Sequence, residues 1–438
     1  MSATTSFGAA CGTSATSDSQ PKATDTPIPA AAPTLGDTEN PQPTAQATNA
    51  PTSLPTSTPT VPASSPLPAN TPTVTPPPPT PITGDREEAG LFFRIFGFTT
   101  DFNIHSVPFQ EVSWGGQPRD GIPAIDEPKY QSVAEGDQWL QDQEAVLLLD
   151  IEGDVRAYPI QILIWHELVN DIVGGKPVSV SYCPLCNTAI VFDTTLEDGR
   201  VLDFGTTGNL RNSDLVMYDR QTESWWQQIT GEAIIGELTG TKLDFIPAPL
   251  VSWKDFMEAH PDGQVLSRET GFQRAYGRQP YILYDSSDPF LFSGDVDERL
   301  RATERVATVS SGDVDVAFPF SVLEMEPVVH FDLSGQDIVV FFKKGTASAL
   351  DASTVAGGKD VGSTGVYQAE AGGRALTFRA EGDLFIDNET GSTWTLLGKS
   401  IEGPLKGEKL EAVVHHNPLW FAWAVFKPDT ILYLGAGA

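Results

Sequence analysis

From Gly12 to about Gly84 the chain contains no aromatic residue, and Thr, Pro, Ala and Ser dominate, with runs such as Pro76-Pro77-Pro78-Pro79. The aliphatic residues there are too scattered to build a buried face. Such a segment cannot remove enough apolar surface from water to offset the entropy of ordering it, so the sequence predicts a disordered Thr/Pro-rich tether over 12–84. Its Thr/Ser/Pro mixture also resembles an O-glycosylated stalk. Folding is thereby confined to residues 85–438, enough chain for two packed cores or one large one.

Comparing that part with itself narrows the fold further. Ala157-Tyr158-Pro159-Ile160 recurs as Ala317-Phe318-Pro319-Phe320, and Val178 to Val180 falls opposite Ile338 to Val340, both at an offset of about 160 residues. Asp219-Arg220-Gln221-Thr222-Glu223-Ser224 matches Asp387-Asn388-Glu389-Thr390-Gly391-Ser392, and each is soon followed by a tryptophan, Trp226 or Trp394. The stretch from Gly231 to Leu243 then parallels Gly398 to Leu410. Several motifs in one shared order point to an internal duplication. Short apolar or alternating runs bounded by Gly, Asp and Pro read as strands over 145–151, 178–182, 189–192, 338–342 and 375–378. Helical patterns are scarcer, at 159–170 and 251–259. The expectation is an α+β, β-rich fold in two pseudo-repeats, 120–295 and 296–438, with a lead-in arm over 85–119.

The formal net charge of −31 resides mostly in the folded part. An acidic surface argues against nucleic acid, whose phosphates need Lys and Arg, and against adsorption to anionic lipid. Its plainest meaning is a soluble, self-repelling exterior. Phe7-Gly8-Ala9-Ala10-Cys11 resembles the end of a bacterial lipoprotein signal, without the basic start and long apolar stretch that precede such an end. Residues 1–11 are read as a truncated lipoprotein signal with Cys11 as the lipidation site. A long tether after such an anchor would let a folded module stand off a membrane. The chain is expected to be an extracytoplasmic, cell-surface lipoprotein that meets the membrane only through its anchor.

The other two cysteines stand as Cys183-Pro184-Leu185-Cys186. This motif and its surroundings, Tyr182 to Ala189, Thr207 to Asp214 and Asp219 to Gln227, resemble signature segments of the DUF3179 family. Asp120 to Asp126, Thr270-Gly271-Phe272 and Tyr276-Gly277-Arg278 fit the same pattern. The resemblance covers nearly all of the folded part and implies a prokaryotic origin. It carries no activity with it, so chemistry must come from the residues.

A Cys-x-x-Cys pair can bridge, exchange disulfides or grip a metal ion. As metal ligands the thiols need company: His166 and Met217 would complete a soft set suited to copper. A thiol-disulfide oxidoreductase usually lowers its thiol pKa at a helix N-terminus. Here the pair lies between two strand-like runs, which places it on a loop. The third reading is a non-catalytic ligand-binding or structural module fastened by a Cys183–Cys186 disulfide. In the second half, Lys343, Thr346, Glu326 and Phe385 stand opposite Cys183, Cys186, His166 and Met217.

The polar run Asn209, Arg211, Asn212, Ser213 and Asp214 reads either as a ligand pocket, with Arg211 holding an anion, or as a turn satisfying its own backbone. Trp225-Trp226 and Trp420-Phe421-Ala422-Trp423 are better explained by core packing than by a binding face. His415-His416 falls on a predicted loop, within reach of a ligand role across the two halves. No nucleophile elbow, phosphate-binding glycine loop or zinc-protease motif is present.

Overall fold

The structure, a computed structural model, describes residues 97–436 apart from Ser293. The tether and Cys11 lie outside the described residues. Within them, many short strands form several sheets and the helices are brief, a β-rich α+β fold.

In the first half, β1 (Ala145–Ile151) and β2 (Asp154–Pro159) form a hairpin. Its two-residue loop, Glu152-Gly153, has positive φ at both positions, the type I′ geometry that follows the natural twist of paired strands. α1 (Ile160–His166) starts directly after Pro159 and buries nearly every side chain. The apolar pattern over 159–170 predicted a longer helix. Instead the chain enters the left-handed region at Glu167 (φ 60°) and turns into β3 (Leu168–Val173). Leu168, Val169, Asn170 and Val173 serve a half-buried strand, and tertiary pairing overrides the helical spacing.

β3 pairs with β4 (Lys176–Cys183), which pairs with β5 (Thr188–Asp193). A separate sheet carries β6 (Phe204–Arg211), β7 (Asp214–Asp219) and β8 (Trp225–Gln227). The lead-in arm is part of this sheet: Val112–Trp114 pairs with β6, while Phe98, Phe102 and Phe109 pack with Tyr218 and Trp225.

The second half repeats this order. β9 (Val306–Ser311) and β10 (Val314–Pro319) form a hairpin followed by the short α2 (Phe320–Leu323). Next come β11 (Val328–Leu333), β12 (Gln336–Lys343) and β13 (Ser363–Gln368) in one sheet. In each half a late strand runs parallel to the second strand: Gln264–Leu266 beside β2, and Ile431–Leu432 beside β10. This is a repeat of architecture, and descent of both halves from one ancestor stays a reading of the sequence.

His415–His416, expected on a loop, pairs with β9. Trp225, Trp226, Trp420 and Trp423 are buried, as core packing requires. The strand expected over 375–378 is broken in two, Arg374–Ala375 and Phe378–Glu381. One large hydrophobic core spans β1, α1 and β3 to β5, and it also takes in Ala349, Leu350, Val355, Leu419 and Phe421. The halves therefore share a core instead of standing as separate bodies.

Candidate metal centre

β4 delivers Cys183 at its last position, in register with Thr188 at the start of β5. The connection is a tight turn in which Cys186 N donates to Cys183 O (3.3 Å) and Asn187 N to Pro184 O (3.3 Å). Pro184 presets φ, and Asn187 tolerates the left-handed conformation (φ 53°) that closes the turn. The strand-loop-strand placement read from the sequence is the one observed. Leu419 N donates to Cys186 O (2.8 Å), and Asn187 Nδ2 donates to Asn417 O (2.8 Å), so the second half grips the outside of this turn.

A second hairpin brings a carboxylate to the thiols. Between β6 and β7 the loop is Asn212-Ser213, both at positive φ (51° and 67°), with Arg211 paired to Asp214. The turn reading of the polar run is thus correct for its backbone, while its last residues reach the site. Ser213 O accepts from Cys183 Sγ (3.6 Å). The ligand atoms of Cys183, Cys186 and Asp214 lie within 4.8 Å of one another, all buried.

Asp214 is fully buried, and only one of its oxygens is satisfied: Oδ2 accepts from Ile229 N (2.9 Å) and from Gln227 Nε2. Oδ1 accepts no hydrogen bond from any nitrogen or hydroxyl. Its neighbour is the Cys186 thiol, a weak donor. An unsatisfied buried carboxylate oxygen is costly, about 1–3 kcal/mol or more, unless something not yet present completes it.

Glu167, which sequence reasoning missed, is the fourth acid. The left-handed residue after α1, it is buried; it feels the charge of Asp214, and its own charge is felt by Cys183. Burial, with repulsion from Asp214, pushes its carboxyl up to about 8, and burial pushes Asp214 up to about 6. Burial also raises both thiols, Cys186 well above the ordinary range. Two thiols and two carboxyls cannot all ionise in one dry space without a cation. The only sequence signal for Glu167 was its position beside His166.

The remaining sequence candidates disperse. His166 has both ring nitrogens engaged, Nδ1 with Pro123 O (2.8 Å) and Nε2 with Tyr276 Oη (2.7 Å), and it is outside the thiol–carboxylate group. Arg211 donates to Glu111 Oε2 from Nε (2.7 Å) and lies 5.1 Å over the Phe426 ring, so its charge is already matched. Asn209 turns to Thr207, with Nδ2 donating to its carbonyl (3.1 Å). Asn212 is buried in the turn itself. Met217, mid-strand in β7, packs in the same core as both cysteines.

A family model described as a protein of unknown function (DUF3179) matches residues 119–430. No match was found among curated proteins or among solved structures.

Proposed function

The chain belongs to the DUF3179 family, whose function is unknown, and we propose from geometry that Cys183, Cys186 and Asp214 bind one thiophilic metal ion. The observation that carries the reading is Asp214 Oδ1, buried beside two free thiols and accepting from no nitrogen or hydroxyl, with only the weak Cys186 thiol donor against its carboxylate. A tetrahedral ion with bonds of about 2.0–2.3 Å holds its ligand atoms about 3.3–3.8 Å apart, so only a small contraction is needed. A cation would complete Oδ1 and hold the thiols as thiolates against the burial that now keeps them protonated.

The carboxylate refines the choice of ion. Two sulfurs with His166 and Met217 pointed to copper; two sulfurs with a carboxylate oxygen suit a borderline divalent ion, and zinc is one that thiolates cannot reduce. Glu167 is a further buried acid coupled to Asp214 and Cys183, and would be a candidate for a fourth position. Thiol-disulfide exchange fits less well, because an exchanging thiol must be ionised and open to its partner. We place the centre in an extracytoplasmic protein held by a lipid at Cys11, a reading that rests on the sequence.

The test is elemental analysis with thiol titration on protein purified without added metal, then titration of the reduced protein with Zn²⁺ and Cu⁺. About one ion per chain is expected, absent in Cys183→Ser and strongly weakened in Asp214→Asn. Reduced wild-type protein that takes up neither ion would overturn the proposal. So would a native pair already joined as a disulfide that resists mild reductant.

A further inference from the structure

Among the described residues of 267–305 there is no strand and no α-helix, yet part of this stretch packs against the core that holds the thiols. Between Tyr276 and Phe290 the chain crosses from one half to the other as a strap. On its inner side, Tyr281 and Tyr284 pack into the core that holds Cys183 and Cys186. Their phenols are raised by burial and feel the charge of Cys183. Phe290 O accepts from Ser213 Oγ, one residue from Asp214. The inner face of the strap thus meets both hairpins of the site.

The first half holds the start of the strap, where Trp165 Nε1 donates to Arg278 O (3.0 Å) and His166 Nε2 meets Tyr276 Oη; beyond it the strap is held by the second half, through the connection between β12 and β13. Leu283 N donates to Asp351 O (2.7 Å), Asp285 N to Leu350 O (3.4 Å), and Gln279 Nε2 to Ala352 O. At the centre is Asp285, whose side chain is fully buried: Oδ2 accepts from Arg305 Nη1 (3.1 Å) and Ser348 Oγ (2.8 Å), and Oδ1 from Lys359 Nζ (3.0 Å). Charge-assisted bonds of this kind are the strong ones. Two residues earlier, Leu283 sits at φ 60°, a left-handed conformation unfavourable for leucine, with its N–H fastened to Asp351 O. The Ile282 and Leu283 side chains stand exposed on the outside (56% and 58%).

We infer that the strap is the closure of the thiol–carboxylate site and that the second half acts as its clamp through Asp285. An ion reaches Cys183, Cys186 and Asp214 when the grip of Arg305, Ser348 and Lys359 on Asp285 is released. The strap then swings away with Tyr281 and Tyr284, and Leu283 relaxes from its strained backbone. The release as a path for metal rests on the metal-centre reading. The closure itself does not, because it governs access of any reagent to the thiols.

The test is thiol modification of the reduced, metal-free full-length protein by a small aromatic disulfide under native conditions. Asp285→Asn should raise the modification rate of Cys183 and Cys186 about tenfold or more, and Lys359→Met by a smaller factor, since one charge-assisted bond is lost instead of several. Asp255→Asn is the control. It breaks the part-buried Asp255–Lys343 pair away from the strap, and it should leave the rate near wild type at matched loss of thermal stability. Equal rates in Asp285→Asn and wild type would overturn the clamp, as would acceleration in Asp255→Asn as large as in Asp285→Asn. If Asp285→Asn does not fold, Lys359→Met against Asp255→Asn decides alone. Where an ion binds, chelator-driven release should accelerate in the same order; a protein that binds no ion but shows the labelling pattern would lose the metal reading and keep the clamp.

Discussion

The connections β4–β5 and β12–β13 join equivalent strand pairs in the two halves and do opposite work. The first is the short turn 184–187, closed by Pro184 and Asn187, with a thiol at each end of its grip. The second is the long excursion 344–362, which carries no cysteine and reaches over to hold the strap. Around them much is shared. Asp219 accepts from Thr222 N (2.6 Å), Thr222 Oγ1 (2.9 Å) and Trp226 Nε1 (2.9 Å). Asp387 accepts from Thr390 N (2.5 Å), Thr390 Oγ1 (2.9 Å) and Trp394 Nε1 (2.9 Å) in the same pattern. The order of elements recurs, and the contrast between these two connections is one thiol-bearing turn against one long arm that reaches the strap.

The largest effect should come from moving the chemistry across. Lys343→Cys combined with Thr346→Cys recreates the spacing in the second half, yet metal analysis should still find about one ion per chain, lost entirely when Cys183→Ser is added. The second half has Gly382 where Asp214 would stand and Pro327 where Glu167 would stand. A second tightly bound ion would mean that spacing alone makes the site.

Next in size is the cover. Leu350, fully buried, plugs the second half's long connection into the first half's core. Leu350→Ala should cost about 2–5 kcal/mol in denaturant unfolding through the cavity it leaves. A cost below about 1 kcal/mol would mean that the connection merely lies on the surface.

The shared corners should then respond alike. Asp219→Asn and Asp387→Asn each weaken a buried carboxylate accepting several bonds, and each should lose about 2 kcal/mol. Costs that differ several-fold would break the equivalence of the two corners.

The smallest effect is one of pH. The Glu167 carboxyl holds its proton up to about 8 when folded, against an ordinary 4.5. The folded state therefore binds a proton that the unfolded chain has released. Its stabilisation is complete below about pH 4.5 and is lost as pH rises through about 8. Melting of the metal-free protein should fall by a few degrees over that window, and Glu167→Gln should flatten the fall. An unchanged slope in the variant would remove Glu167 from the account.

Much of this layout was legible before any coordinates. The run Ala145 to Ile151 and the pair Val178 to Tyr182 and Ala189 to Phe192 fall inside observed strands, because period and turn residues are local signals. The site was half legible. Cys183, Cys186 and Asp214 were all singled out, but on separate grounds, since their meeting depends on two hairpins packing together. His166 drew attention by residue type, whereas its neighbour Glu167 couples electrostatically to Asp214 and Cys183, because the helix ends at His166, well before the end of the apolar pattern over 159–170. Of the strap only its start, Tyr276-Gly277-Arg278, stood out in the sequence, because the order of the rest comes from partners elsewhere in the chain and not from a periodic pattern of its own.

The two-residue loop at Asn212-Ser213 has a consequence for how such a centre changes over time. Successive residues of a strand point to opposite faces, so a single insertion in that loop would shift β7 by one step, carry Ser213 toward the place Asp214 now holds and turn Asp214 to the other face. The composition of the centre is then governed by the length of a turn as much as by the identity of its ligands. A lineage could abolish the oxygen ligand, or regain it, with every chemically active residue still present in its sequence.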